Sequence, residues 1–261
     1  VTPPTHTHAA FNETNQRIYM SATLGGEGDL LRGYGISDIE TIRVKHAQWG
    51  PRYILMPSLY FEEDKCPQVV SSIWNRMNTH RALILAPSFP IADRTFNAIS
   101  SGMKPLPAKL GARDIENSLD PFTRSESSVL CLAGRYDGVD LPGDDCRLLI
   151  MAESPGAIGA LERHLREHWK LGPLLRRRER TRLIQGMGRC TRDATDFAVI
   201  ILLGQSLVDC ITPPLFSKTL PGEIQRELSW GMDQGEVARE DSDALTDMVV
   251  GLLTDEEYRK S

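Results

Sequence analysis

No run of 18 or more apolar residues occurs anywhere in the 261-residue chain. The longest strongly apolar stretch, FAVIILLG at 197–204, is too short to span a bilayer. The sequence begins with Val1, and no basic segment leads into an apolar one, so no signal peptide is read. Cysteine is sparse. Its five positions (66, 131, 146, 190 and 210) stand at least 15 apart, with no CxxC and no Cys/His ligand spacing. A zinc site or iron–sulfur cluster within this chain is therefore not expected. An odd number of thiols without a leader reads as reduced cysteines in a cytoplasmic, intracellular protein. Excess positive charge is also missing: the net charge is −5 and the isoelectric point about 5.7, which excludes a uniformly basic nucleic-acid coat. There is no GxxxxGK[ST] phosphate loop and no internal repeat.

What remains is an ordinary globular composition, 41% hydrophobic and 25% charged, long enough to bury a sizeable core. Residues 1–15 are polar and read as a flexible tail or linker. RIYMSATL (17–24) is a short apolar run, and TIRVK (41–45) and RYILMP (52–57) resemble short strands. Val69, Val70, Ile73, Trp74 and Met77 fall at helical spacing, which predicts a helix over 66–79. RALILAP (81–87), VLCLA (129–133), CRLLIMAE (146–153) and FAVIILLG are contiguous apolar strands, the pattern of a parallel sheet covered on both faces. A helix near 91–101 leads to a Gly/Pro-rich loop at 102–111. Residues 158–192 read as helical, broken near 171–173, and 222–261 as a helical acidic tail. This order predicts a doubly wound parallel α/β sheet. The charge is dipolar: residues 162–192 carry a balance of +7 and residues 223–261 a balance of −7. Such a basic block marks an anionic partner such as phosphate, or else a solvated helix face paired with the acidic tail.

Ligands of doubly wound sheets sit beyond the carboxyl ends of the strands. The segments there are Ser21-Ala22-Thr23, Ser88-Phe89 and Gly134-Arg135-Tyr136-Asp137-Gly138-Val139-Asp140, and QGMGRCTR (185–192) precedes the last strand. Glycines let backbone N–H groups approach an anion, and arginine offers a planar fork to phosphate oxygens. These groups are expected to gather on one edge of the sheet. Arg189 and Arg192, three apart, share a helix face; taken alone they also read as a surface pair bridged to the acidic tail. His164 and His168 stand i, i+4 but lack a third metal ligand, and Asp137 reads as a turn cap. Trp49, Trp74, Trp169 and Trp230 read as core or interface residues. Tyr136 is the best aromatic candidate to touch a base or sugar, with Phe89 second.

SATL (21–24), RALILAPSF, GRYDGVDLPGDDCRLLI (134–150) and QGMGRCTR follow the order of helicase motifs III, IV, V and VI. The chain resembles superfamily 2 helicases over about residues 17–204, most closely the XPD/DinG-like branch. The resemblance implies a RecA-like C-terminal lobe (16–215), with 17–24 as the last strand of the preceding lobe and an acidic helical extension (216–261). It implies Mg2+–ATP as cofactor, held mainly by an N-terminal lobe that this chain does not include. It implies Arg192 as an arginine finger with Arg189 beside it and Gln185 orienting the pair, and Gln185, Gly188, Gly138 and Asp140 facing the nucleotide, Asp140 toward the ribose or toward the motif VI arginines. Ser88, Gly134, Arg135 and Tyr136 would meet nucleic-acid phosphates, and Ser21 and Thr23 would couple the two activities. The implied partner is single-stranded or forked nucleic acid, DNA favoured over RNA, with no membrane and no metal ligand in this chain. Lacking both Walker motifs, the chain is expected not to hydrolyse ATP unaided. Two alternatives are a translocase that does not unwind and a binding module that has lost catalysis.

Overall fold

The computed structural model describes residues 8–20, 40, 42, 50–136, 138–156, 160–169, 172–191, 194–239 and 241–260. Its contacts divide the chain into two units, Val1–Ala47 and Gln48–Ser261. In the first unit, one helical turn, α1 (Ala9–Asn12), is followed over residues 13–20 by chain without regular secondary structure. Arg17 lies over the Phe11 ring at 4.4 Å and its Nε donates to the Phe11 carbonyl. Residues 17–20 form no strand, and Ile18 and Met20 are exposed, so the expected strand at 17–24 is absent over its described part. Only Ile18, Tyr19 and Met20 are apolar in this described stretch, and so short a run whose backbone groups are left to water does not hold a strand. Ser21, Thr23 and most of TIRVK lie outside the described residues.

The second unit is built on six parallel strands in the order β1-β6-β5-β2-β4-β3. These are β1 (Arg52–Leu55), β2 (His80–Ala86), β3 (Ala108–Gly111), β4 (Ser127–Ala133), β5 (Leu148–Ala152) and β6 (Ala198–Leu203). The apolar runs are contiguous because each strand feeds two cores. Ala82, Ile84 and Ala86 of β2 face one side, packed under α2 (Cys66–Arg76), α3 (Phe89–Ser100) and α10 (Ser242–Thr254). Leu83 and Leu85 face the other, with Leu183 and Met187 of α6 (Gly172–Met187) and Leu207 and Ile211 of α7 (Gln205–Ile211). Trp74 is fully buried and donates its Nε1–H to the Pro105 carbonyl at 3.0 Å. The remaining helices are α4 (Asp120–Thr123), α5 (Ala160–His168), α8 (Pro214–Ser217), α9 (Gly222–Val237) and α11 (Glu256–Lys260). This is the doubly wound sheet expected of a RecA-like lobe.

Two differences from the sequence reading have physical causes. The loop at 102–111 ends in β3, a half-exposed edge strand whose AKLG has too little apolar character to announce itself. The acidic tail packs into both cores. Ile224 and Leu228 of α9 enter one, and Ala238 with Leu245, Val249 and Leu252 of α10 enter the other. Between them, α9 lies along the unpaired side of β1. A Cβ on Gly231 would stand 1.7 Å from the Ile54 carbonyl oxygen, so only glycine admits this approach. Arg52 of β1, 4% exposed, donates its Nε to both carboxylate oxygens of Glu227 (2.9 and 3.1 Å) and lies 3.3 Å from Glu223. Among the described residues no helix is long and apolar enough to cross a membrane.

Candidate nucleotide and nucleic-acid interface

At the carboxyl ends of β2 and β4 the chain leaves the sheet twice, side by side. The Gly134 N–H donates to the Ala86 carbonyl at 2.8 Å, extending the β2–β4 register by one step before the loop turns away at φ +66°. Ser88, two residues past Ala86, is the extended N-cap of α3, and its hydroxyl makes no capping bond. Phe89 and Arg135 are both exposed there. Ser88, Gly134 and Arg135 are thus brought together.

Tyr136 is not presented with them. It is 3% exposed, and the phenol lies in the interior, where burial raises its pKa well above the ordinary value. Its ring packs against Gly186 of α6: a Cβ on Gly186 would stand 3.2 Å from Tyr136 Cδ1, 3.0 Å from Met151 Cε and 3.3 Å from Leu85 Cδ1. The expected contact of this ring with a base is therefore corrected. A large ring in a polar loop finds its apolar surroundings under a helix that has a glycine to receive it. Phe89, 65% exposed, is the aromatic presented at this rim.

From Tyr136 the loop runs past Gly138, at φ +85°, where a Cβ would meet nothing within 4 Å. It then meets the end of α6. Arg189 Nη1 donates to Asp140 Oδ1 (2.9 Å) and to the Val139 carbonyl (3.2 Å), and Nε donates to the Gln185 carbonyl (2.8 Å). The Leu141 N–H returns a bond to the Arg189 carbonyl at 2.9 Å. The Gly188 N–H bonds the Gln185 carbonyl, closing the helix. Below this, the Cys190 thiol hydrogen-bonds Cys146 in the interior, and that contact together with burial raises its pKa well above the usual thiol value. Gln185, Gly188, Arg189, Gly138 and Asp140 are therefore one cluster, and the Arg189–Asp140 ion pair is its centre. Arg192 and Asp137 lie outside the described residues.

A second set of groups fixes α6 and was not singled out in the sequence. Glu162 of α5, 7% exposed, accepts from Arg182 at 2.8 and 3.0 Å and from Arg178 at 3.2 Å. Arg182 Nη1 also donates to the carbonyls of Pro155 and Gly156, just past β5. The i, i+4 spacing of Arg178 and Arg182 is the signal that could have revealed this clamp. His164 and His168 stack at 4.3 Å, and no cluster of three or more His, Cys, Asp or Glu able to hold a metal occurs among the described residues.

Comparison with known proteins bears on the fold and the family. The helicase C-terminal domain family model matches residues 72–223, which include β2 to β6 and both glycine-bearing segments. A solved XPD helicase structure superposes with a TM-score of 0.52 at 17% identity, covering 76% of this chain and 40% of that one. A solved apo XPD structure aligns with a TM-score of 0.42 at 13% identity, covering 65% of this chain and 38% of that one. The chain thus spans about two-fifths of the solved helicases it matches. No curated protein matches it. With more than half of its length matched to one family model and the expected sheet in place, the chain belongs to the helicase C-terminal domain family.

Proposed function

We propose that this chain is the C-terminal motor lobe of an ATP-dependent nucleic-acid helicase, with DNA the favoured strand, and that it supplies an arginine finger at Arg192. The observation that carries this reading is the bonding of Arg189. Its guanidinium is spent on Asp140, Val139 and Gln185, so its charge is answered within the chain. It acts as a strut between the loop that would meet nucleic acid and the helix that would meet ATP. Arg192, three residues on, is then the cation of this segment that would face a triphosphate.

The chain's own features fit a nucleotide's phosphate tail. Gly138 has open space at its Cα, so backbone N–H groups can approach phosphate oxygens. Mg2+ would be held by the first lobe. Bound ATP supplies the γ-phosphoryl group, and an arginine set against the charge developing there contributes roughly 10³–10⁵ in rate. A finger borne by the second lobe makes hydrolysis wait for lobe closure, which couples turnover to movement along a strand. Ser88, Gly134 and Arg135 would hold the strand's phosphates.

In the parent helicase, Arg192→Ala is expected to lower nucleic-acid-stimulated ATP hydrolysis by roughly 10³-fold or more while leaving single-strand affinity within a few-fold. Unchanged turnover in a steady-state ATPase assay overturns the finger assignment.

A further inference from the structure

The carboxyl ends of β5 and β6 carry an ion pair apart from the Arg189 cluster. β2 and β5 run side by side, Leu85 against Met151, so Ser88 and Glu153 leave adjacent strands at the same edge of the sheet. Glu153 holds φ at +65°, left-handed backbone that a residue with a side chain adopts only at a cost. Its N–H donates to the Leu203 carbonyl at 2.8 Å. Its carboxylate accepts from the Ser206 hydroxyl of α7 and lies folded over Gly204, where a Cβ would stand 2.6 Å from Glu153 Cδ. Gly204 is itself at φ +106°, and its N–H donates to the Ser58 hydroxyl at 3.0 Å. Backbone, serine and glycine together fix one carboxylate at the rim. The cation it meets is Arg94, six residues along α3 from Ser88, roughly 9 Å by helical rise. Arg94 Nη2 stands 3.7 Å from Glu153 Oε1, too far for a hydrogen bond, and the arginine side chain is 69% exposed. The neighbouring Asp93 is taken by Lys109 at 2.6 Å.

We infer that Arg94 is a further contact for a backbone phosphate of the nucleic-acid strand and that Glu153 is its positioning residue. A carboxylate serving only to neutralise Arg94 would let the two side chains close to hydrogen-bond distance. Here the carboxylate is pinned and cannot follow, so the pair stays long, and an exposed pair of this kind is weakly held. A phosphate takes a guanidinium through two parallel hydrogen bonds and displaces the carboxylate at small cost. Until it arrives, Glu153 keeps the guanidinium at the sheet edge and stands in for the phosphate. The occupant is a strand because α3 runs to Arg94 from the rim where Ser88, Gly134 and Arg135 lie together, so one polyanion can meet all of them. The inference rests on the motor reading and adds a station to the path of its strand.

The test is fluorescence anisotropy of the 261-residue chain with labelled (dT)20 between 50 and 300 mM KCl. Arg94→Ala is expected to lower the slope of log K against log[KCl] by about 0.7, the loss of one phosphate contact to a single strand, and Arg94→Lys to keep it. Arg124→Ala removes an exposed arginine just before β4, at the opposite edge of the sheet, and should leave the slope unchanged. Glu153→Gln, whose amide oxygen can still accept from Ser206, is expected to raise affinity roughly two- to five-fold at low salt by removing the competitor for Arg94. That gain should vanish in the Arg94→Ala background. An Arg94→Ala slope equal to the wild type, an equal fall with Arg124→Ala, or the same gain from Glu153→Gln in both backgrounds overturns the contact and leaves the motor reading standing. Absence of any binding by the wild-type chain also overturns the contact, while the motor reading is judged separately by the turnover of Arg192→Ala.

Discussion

The two charged regions of this chain, α5–α6 and α9–α11, look like mirror images in composition and are fastened in different ways. The basic α6 is held at its flanks: Glu162 ties two of its arginines to α5, and Arg189 ties its end to the loop at 139–141. The acidic α9 is held by contact with backbone, because Gly231 lets it lie directly on β1 and Arg52 reaches into it. A segment's net charge therefore says little about its partner until the counter-charges are found. In α9 the carboxylates answer a buried arginine of the core, and in α6 Arg178 and Arg182 answer a single carboxylate of the neighbouring α5.

Three substitutions sharpen this contrast. The largest effect is expected from Gly231→Ala, whose Cβ would collide with a main-chain carbonyl that cannot move without breaking the β1–β6 ladder. A loss above about 3 kcal/mol in urea unfolding is expected. Gly222→Ala in the same helix, 3.7 Å from the mobile end of Arg226, should cost less than about 1 kcal/mol. Equal costs would show that the helix does not rest on β1. Next, Glu162→Gln leaves Arg182 and Arg178, both partly exposed, without their carboxylate and should cost about 1–2 kcal/mol. Faster amide exchange should be confined to α5 and the 155–156 turn, and an unchanged exchange map would remove the clamp. The smallest effect concerns Glu227. Burial outweighs the pull of Arg52, so its carboxyl titrates above the ordinary value. The native state then holds that proton more tightly than the unfolded chain does. The stabilisation is full below the unfolded pKa and is lost as pH rises through the native one. The stability of the wild type relative to Glu227→Gln should therefore decline as pH rises above the ordinary carboxylate range, and a difference flat in pH would contradict the burial of this group.

Much of the fold was legible in the sequence because buried parallel strands write contiguous apolar runs; β2, β4, β5 and β6 are all such runs. β3 was hidden because an edge strand needs an apolar side chain on only one face, and its Lys109 reaches out to Asp93. The pairing of Arg189 with the loop at 139–140 was foreshadowed by motif order. The burial of Tyr136 was not, since it depends on Gly186, fifty residues on, being small at the point where the ring arrives. The role of α9 was masked by its acidity, although Gly231 and Gly235, one turn apart, mark a face able to approach another backbone closely.

β1 ends its sheet, and a final strand ordinarily offers its free amides and carbonyls to any extended peptide that passes. By lying along that border, α9 closes the sheet to recruitment. The strand ladder of the lobe stops where the helix begins.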